Sequence, residues 1–153
     1  MQLTTSSFTP GGTIPLRHVP ARIGGDNVAP ALHWSDPPAD TASFAIICFD
    51  PDAPRGGFYH WGVYDLPADC RGLSEDAPLP AGAHQAVTGY GSVGYGGPCP
   101  PPGKAHHYVF TVYALPTPSL GLPAGAGCPA LQAAVSKQAL ASASVTGLFQ
   151  THR

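Results

Sequence analysis

Glycine and proline interrupt this chain so often that helix is ruled out over most of its length. Nineteen of each occur in 153 residues. Spread evenly and without apolar partners, that content would read as low complexity. Here it brackets three apolar runs rich in β-branched and aromatic residues, Phe44–Phe49, Tyr59–Tyr64 and Tyr108–Leu115. Short runs bounded by Pro, Gly or Asp are the strand-and-turn punctuation of an all-β domain.

The run Phe44-Ala45-Ile46-Ile47-Cys48-Phe49 has no polar alternation, which predicts a strand covered on both faces of a sandwich. In the third run, His107, Val109, Thr111, Tyr113 and Leu115 share one side and Tyr108, Phe110, Val112 and Ala114 the other. Both sides are substantially apolar, so this strand is expected to be central. One helix is expected, from Pro129 to Leu140, with Pro129 in the first turn and Leu131, Val135 and Ala139 spaced by four. It should pack on a sheet edge, and Ala141–Phe149 should return as a final strand. The expectation is a single mostly β domain over 1–153, a sandwich with a small C-terminal helix.

Nine Asp/Glu, seven Lys/Arg and a net charge of −2 leave no basic footprint for nucleic acid. The first residues carry neither a basic nor an apolar signal region, and no window approaches the ~18 apolar residues of a membrane span. A cytoplasmic location without stable membrane association is therefore expected. Cysteines at 48, 70, 99 and 128 fit no paired metal spacing, and Cys48 is expected to be a buried reduced thiol.

With charge so scarce, its clustering is informative. Asp50-Pro51-Asp52-Ala53-Pro54 follows the first apolar run, His60-Trp61 stands six residues on, and a Gly/Pro-rich loop leads to His106-His107-Tyr108. The bare GxGxxG pattern in Gly89-Tyr90-Gly91-Ser92-Val93-Gly94 lacks the helix that a dinucleotide site requires, because Gly96-Gly97-Pro98-Cys99-Pro100-Pro101-Pro102 follows. What remains for that loop is a glycine-rich wall that a ligand can approach closely. Asp50-Pro-Asp-Ala-Pro54 has a plainer reading as a turn ending a strand. His33, His84 and His152 are read as surface residues, His107 as a satisfied, partly buried one, and Trp34 and Trp61 as core.

The order Asp-Pro-Asp-Ala-Pro, His before an aromatic strand, Gly-Pro-Cys-Pro-Pro, then His-His-Tyr-Val-Phe resembles the phosphatidylethanolamine-binding protein family, or Raf kinase inhibitor proteins, and most closely its short YbhB/YbcL-type branch. The resemblance covers nearly the whole chain. It implies a Greek-key antiparallel β-sandwich with a small pocket for phosphate-like anions; it does not imply enzyme activity, and no cofactor is expected. Carried over, the pocket falls on Asp50, Asp52, His60, His106 and Tyr108, with Gly97 and Pro98 in the adjoining Gly97–Pro101 wall. The spacing before His106 and the inserted Cys99 differ from the animal members, whose additional C-terminal helix is absent. Short members are often dimeric, so a homodimer is in view.

Two imidazoles beside two carboxylates are expected to be drawn toward the protonated, anion-clamping form, with affinity falling as pH rises. One carboxylate should orient an imidazole and the other could meet a cationic group, which suits a phosphoethanolamine-like zwitterion, with Trp61 or the loop tyrosines as apolar contacts. Three classes compete. The first is a binding protein for a small anionic or phosphorylated ligand. The second is an enzyme using the Asp/His pocket for acid–base chemistry, with Cys99 as the candidate nucleophile or a metal on Asp50, Asp52, His60 and His106. The third is a protein-docking inhibitor of a kinase or hydrolase.

Overall fold

The computed structural model describes residues 1–152. Its frame is a five-stranded antiparallel sheet built on the three apolar runs. Ser43–Asp50 forms β3, Phe58–Pro67 β4, His106–Leu115 β7 and Ala141–Phe149 β8, with the two-residue His84–Gln85 as β6. Their spatial order is β6-β4-β3-β7-β8. Strands β3, β4 and β6 follow in sequence and β7 returns beside β3, which is the Greek-key arrangement. A smaller antiparallel sheet, β1 (Gln2–Thr4), β2 (Leu32–Ser35) and β5 (Gly72–Leu73), packs over one face.

Burial explains the uninterrupted apolar run in β3. Phe44, Ile46 and Cys48 face the core between the sheets with Trp34, Trp61, Phe110 and Val112. Ala45 and Ile47 face the other way, onto α1 (Cys128–Gln138), where Cys128, Leu131 and Val135 are fully buried. Helix α1 therefore lies across the open face of the large sheet and not on its edge as the sequence suggested. A helix with a Cys128/Leu131/Val135 stripe needs a flat apolar partner, and the edge strands offer none. It ends two residues earlier than expected, because Ala139 turns to ψ 130° and the Leu140 amide already donates to Ala114 O in the sheet.

Strand β7 is interior, between β3 and β8, and its even-numbered residues from Tyr108 to Ala114 are buried while Val109, Thr111 and Tyr113 are half-buried. Half of the free edge of β8 is covered by the segment 11–14, through Gly11 N to Thr146 O, Ile14 N to Leu148 O and Leu148 N to Gly12 O. Cys48 is buried, and it and the other three cysteines are free thiols, with Cys128 also buried and Cys70 and Cys99 half-buried. His84 is on the surface as expected but has partners there: its Nε2 lies 3.8 Å from Asp65 and its ring 5.4 Å from that of Tyr64. Among the described residues no helix is long and apolar enough to cross a membrane.

Because α1 is seated chiefly by Leu131, truncation to Ala should leave a cavity against Ile47 and cost about 2–5 kcal/mol. Urea unfolding of Leu131→Ala measures that loss, and a loss below about 1 kcal/mol would show that α1 contributes little to the core.

Candidate functional site

Strands β3, β4 and β7 end together, and the residues at those ends converge. Asp50 closes β3, His60 stands near the start of β4 and Tyr108 near the start of β7. Alternation alone would not bring His60 to the face of Tyr108. The pairing of Cys48 with Trp61 and of Phe49 with Tyr59 leaves His60 without a partner, a β-bulge that turns its side chain to the inter-sheet face. Its ring centroid lies 5.1 Å from that of Tyr108.

These residues open onto a cavity of about 160 Å³. Asp50, Ala53 and Pro54 form one side, Phe58 and His60 the floor with Tyr108, and Tyr90, Cys99, Pro100 and Pro101 the outer wall. At ~30 Å³ per liquid water, that is room for a compact group of a few non-hydrogen atoms.

Each polar group has a definite state. Asp50 is 2% exposed. Its Oδ1 accepts the Asp52 amide at 2.8 Å, closing the turn, and its Oδ2 accepts from His106 Nδ1 at 2.6 Å. His60 Nδ1 donates to Gly96 O at 2.7 Å; a carbonyl only accepts, so this nitrogen carries the proton and Nε2 is the free one. Burial pushes the His60 pKa below the ordinary imidazole range, against weaker opposing contributions from the Gly96 hydrogen bond and Asp50. At neutral pH an empty site thus holds a neutral His60, contrary to the expectation that both imidazoles are drawn toward the charged form. Desolvation outweighs the carboxylate because Asp50 directs its hydrogen bonds elsewhere.

Tyr108 is 1% exposed, and its hydroxyl is buried with no hydrogen-bond partner. Burial holds its proton far above the usual phenol range. It is a committed neutral donor with nothing to donate to.

Of the seven residues singled out from sequence, Asp50, His60 and Tyr108 line the cavity. His106 sits beside it, bound to Asp50. Asp52 points away: its Oδ2 accepts from the backbone and the Nδ1 of His107, both at 2.7 Å, on the surface. The His107 backbone bond, then the ring bond, hold the Asp52 carboxyl below the usual range. His107 is accordingly an exposed hydrogen-bond partner of Asp52 and not a partly buried residue. Gly97 and Pro98 are buried behind the wall that Cys99, Pro100 and Pro101 present.

Gly97 has a different task. A Cβ there would stand 2.1 Å from His18 O, so only glycine lets the loop lie against the 3-10 turn Leu16–His18. Asn27 Oδ1 accepts the Gly97 amide, and Tyr90 donates its hydroxyl to Gly97 O at 2.8 Å. That turn is held in its own right: Glu75, drawn down to about pKa 2 mainly by Arg17 and then by Ser7, accepts from both, and His18, with 0% exposure, donates its Nδ1–H to Val28 O at 2.7 Å. Gly96 makes room in the same way for the ring of Tyr90, whose Cδ2 a Cβ would approach to 2.4 Å.

Phe58 went unrecognised in the sequence reading, although it lies two residues from His60 on the same face. Trp61, offered as an apolar contact, is buried in the inter-sheet core and donates its Nε1–H to Gln85 Oε1.

Comparison with known proteins agrees with this architecture. A family profile described as "Phosphatidylethanolamine-binding protein" matches residues 4–150. The chain is 41% identical to the Escherichia coli protein "UPF0098 protein YbhB" over 97% of its own length and 99% of that protein. It is 42% identical to a UPF0098 protein of Aquifex aeolicus over 98% and 88%. The crystal structure of E. coli YbcL, described as "a new member of the mammalian PEBP family", superposes with a TM-score of 0.93 at 35% identity, over 98% of both chains.

Gly97→Ala should loosen the wall through an unavoidable backbone clash, at a cost of about 1–3 kcal/mol. Amide exchange should quicken at Gly96 and Gly97, which donate to His60 O and Asn27, and stay unchanged at Leu131 and Val135. Unchanged exchange at Gly97 would show that the contact with His18 is not what holds the wall.

Proposed function

The chain belongs to the phosphatidylethanolamine-binding protein family, and from that premise we propose that it is a binding protein whose small pocket takes the phosphate-like end of an anionic ligand. The observation that carries this reading is the Tyr108 hydroxyl, buried and unpartnered on a residue that lines the cavity. A buried donor left unsatisfied costs about 1–3 kcal/mol, and an acceptor oxygen entering the cavity removes that cost. His60 supplies the second contact through Nε2, which becomes a donor once protonated. The Asp50–His106 pair fixes the adjoining corner.

The pH sign follows from the depressed His60. Its proton is absent at pH 8 and must be taken up with the anion, so affinity rises as pH falls through and below the ordinary imidazole range. In the empty protein the same group disfavours folding at low pH, because the unfolded chain takes up this proton first. Calorimetric titration at pH 6 and pH 8 with phosphate, and with sulfate, which stays dianionic throughout, tests the reading. We expect tighter binding of both anions at pH 6. Flat sulfate affinity would remove His60 from the contact, and no binding at either pH would overturn the pocket assignment.

Tyr108→Phe separates function from stability. It should weaken phosphate roughly tenfold, the loss of a hydrogen bond to a charged acceptor, while the free protein keeps its stability or gains up to about 2 kcal/mol. A variant that loses stability and keeps its affinity would make the hydroxyl structural.

A further inference from the structure

The outer wall of the pocket is the inner wall of a second hollow. Tyr90 lines both: the pocket on one side and, on the other, a groove of about 310 Å³ that also takes in Arg22, Asn27 and Ser92. The ring is fixed, since its hydroxyl is bound to Gly97 O and its edge meets Phe58. His60 lies 5.5 Å from the Tyr90 centroid and the Arg22 guanidinium carbon 5.4 Å from it. One aromatic ring therefore separates the imidazole of the pocket from a cation outside it.

That cation stands beside Cys99 and Tyr90 of the wall and has no acidic partner among the described residues. Arg17 is paired with Glu75 and Arg71 with two backbone carbonyls, whereas Arg22 has no carboxylate partner among the described residues. It is exposed, held over the Tyr90 face, and its flat five-donor fork suits a carboxylate or phosphate. The nearby acids are in the opposite condition. Asp50 has both oxygens engaged, by the Asp52 amide and His106, and Asp52 lies on the surface with His107 and lines neither hollow. Asn27 has both ends of its amide occupied, by Tyr95 O and the Gly97 amide. The charge on offer beyond the pocket is positive.

We infer that pocket and groove form one two-part site, selective for a small phosphomonoester that carries a carboxylate a short linker away, with the phosphate beside His60 and Tyr108 and the carboxylate on Arg22 across Tyr90. This rests on the anion-pocket reading above. It reverses the preference that the Asp-rich motif suggested, since the acid that lines these hollows, Asp50, already has both oxygens engaged.

O-phosphoserine and O-phosphoethanolamine differ by one carboxylate and make a matched pair. Titrated at pH 6 into the wild type, O-phosphoserine should bind about tenfold more tightly, the scale of a charge-assisted pair. In Arg22→Gln the ratio should fall to within about twofold, and Arg22→Lys, which keeps the charge and loses the fork, should lie between. Arg22 is exposed, so neither variant threatens the fold. Equal binding of the two esters in the wild type, or a ratio that survives Arg22→Gln, overturns the groove while leaving the phosphate pocket standing. If neither inorganic phosphate nor either ester binds, the pocket reading falls and this one with it. N-acetyl-phosphoserine amide, lacking the carboxylate, should lose the advantage; if it binds as tightly as O-phosphoserine, the carboxylate is not read and the inference is overturned.

Discussion

Burial of β3 on both faces is the constraint on which the rest of the structure depends. A strand with Phe44, Ile46 and Cys48 on one side and Ala45 and Ile47 on the other must be covered twice. The small sheet covers one side and α1 the other. Neither cover alone would keep such a strand from water, and the two together account for the largest fully buried side chains in the chain, Trp34, Phe44, Ile46, Ile47 and Leu131 among them. The functional consequence is at the strand's end. A carboxylate that follows directly on so buried a run is carried into the interior with it, and Asp50 is stable there because an imidazole and an amide meet its two oxygens.

Around that point the site is organised by exclusion. Each flanking acid is satisfied by a histidine, the bulge turns His60 inward, and the glycine-rich loop is clamped to the N-terminal turns by Gly97 against His18 and by Asn27. Among the described residues lining the cavity, the Tyr108 hydroxyl is buried without a partner and His60 Nε2 is free. A pocket built this way has fixed walls and an unfilled donor, which is preorganisation in the physical sense: the cost of ordering the contacts is met by folding and not by the ligand.

Much of this was legible in the residues. The runs that became β3, β4 and β7 are dense in β-branched and aromatic side chains, the final strand Ala141–Phe149 matches its expected bounds, and the motifs carried the family. What was not legible depends on non-local geometry. Strands β5 and β6 have two residues each and exist only by pairing with Leu32–His33 and Val63–Tyr64. The seat of α1 was misjudged because an amphipathic stripe states which residues are covered and not by what. Asp52 read as a pocket residue and His107 as a partly buried one because sequence shows neighbours along the chain, whereas their pairing spans 55 positions. The bulge at His60 has no composition signal, and without it simple alternation would turn that imidazole toward α1.

That separation along the chain has a kinetic meaning as well. Asp50 meets His106 across 56 residues, and β3 meets β7 from Ser43–Leu115 inward. Closing so long a loop comes before any contact that rewards it, which places the β3–β7 ladder among the slow, non-local steps of folding. Two walls of the pocket are formed by that same ladder, so they come into existence only when the central sheet closes. The site cannot be assembled on a partly folded chain or opened by fraying of one local element. An occupant would therefore hold together the sheet's most distant segments, and its binding energy would appear as slower unfolding of the whole domain.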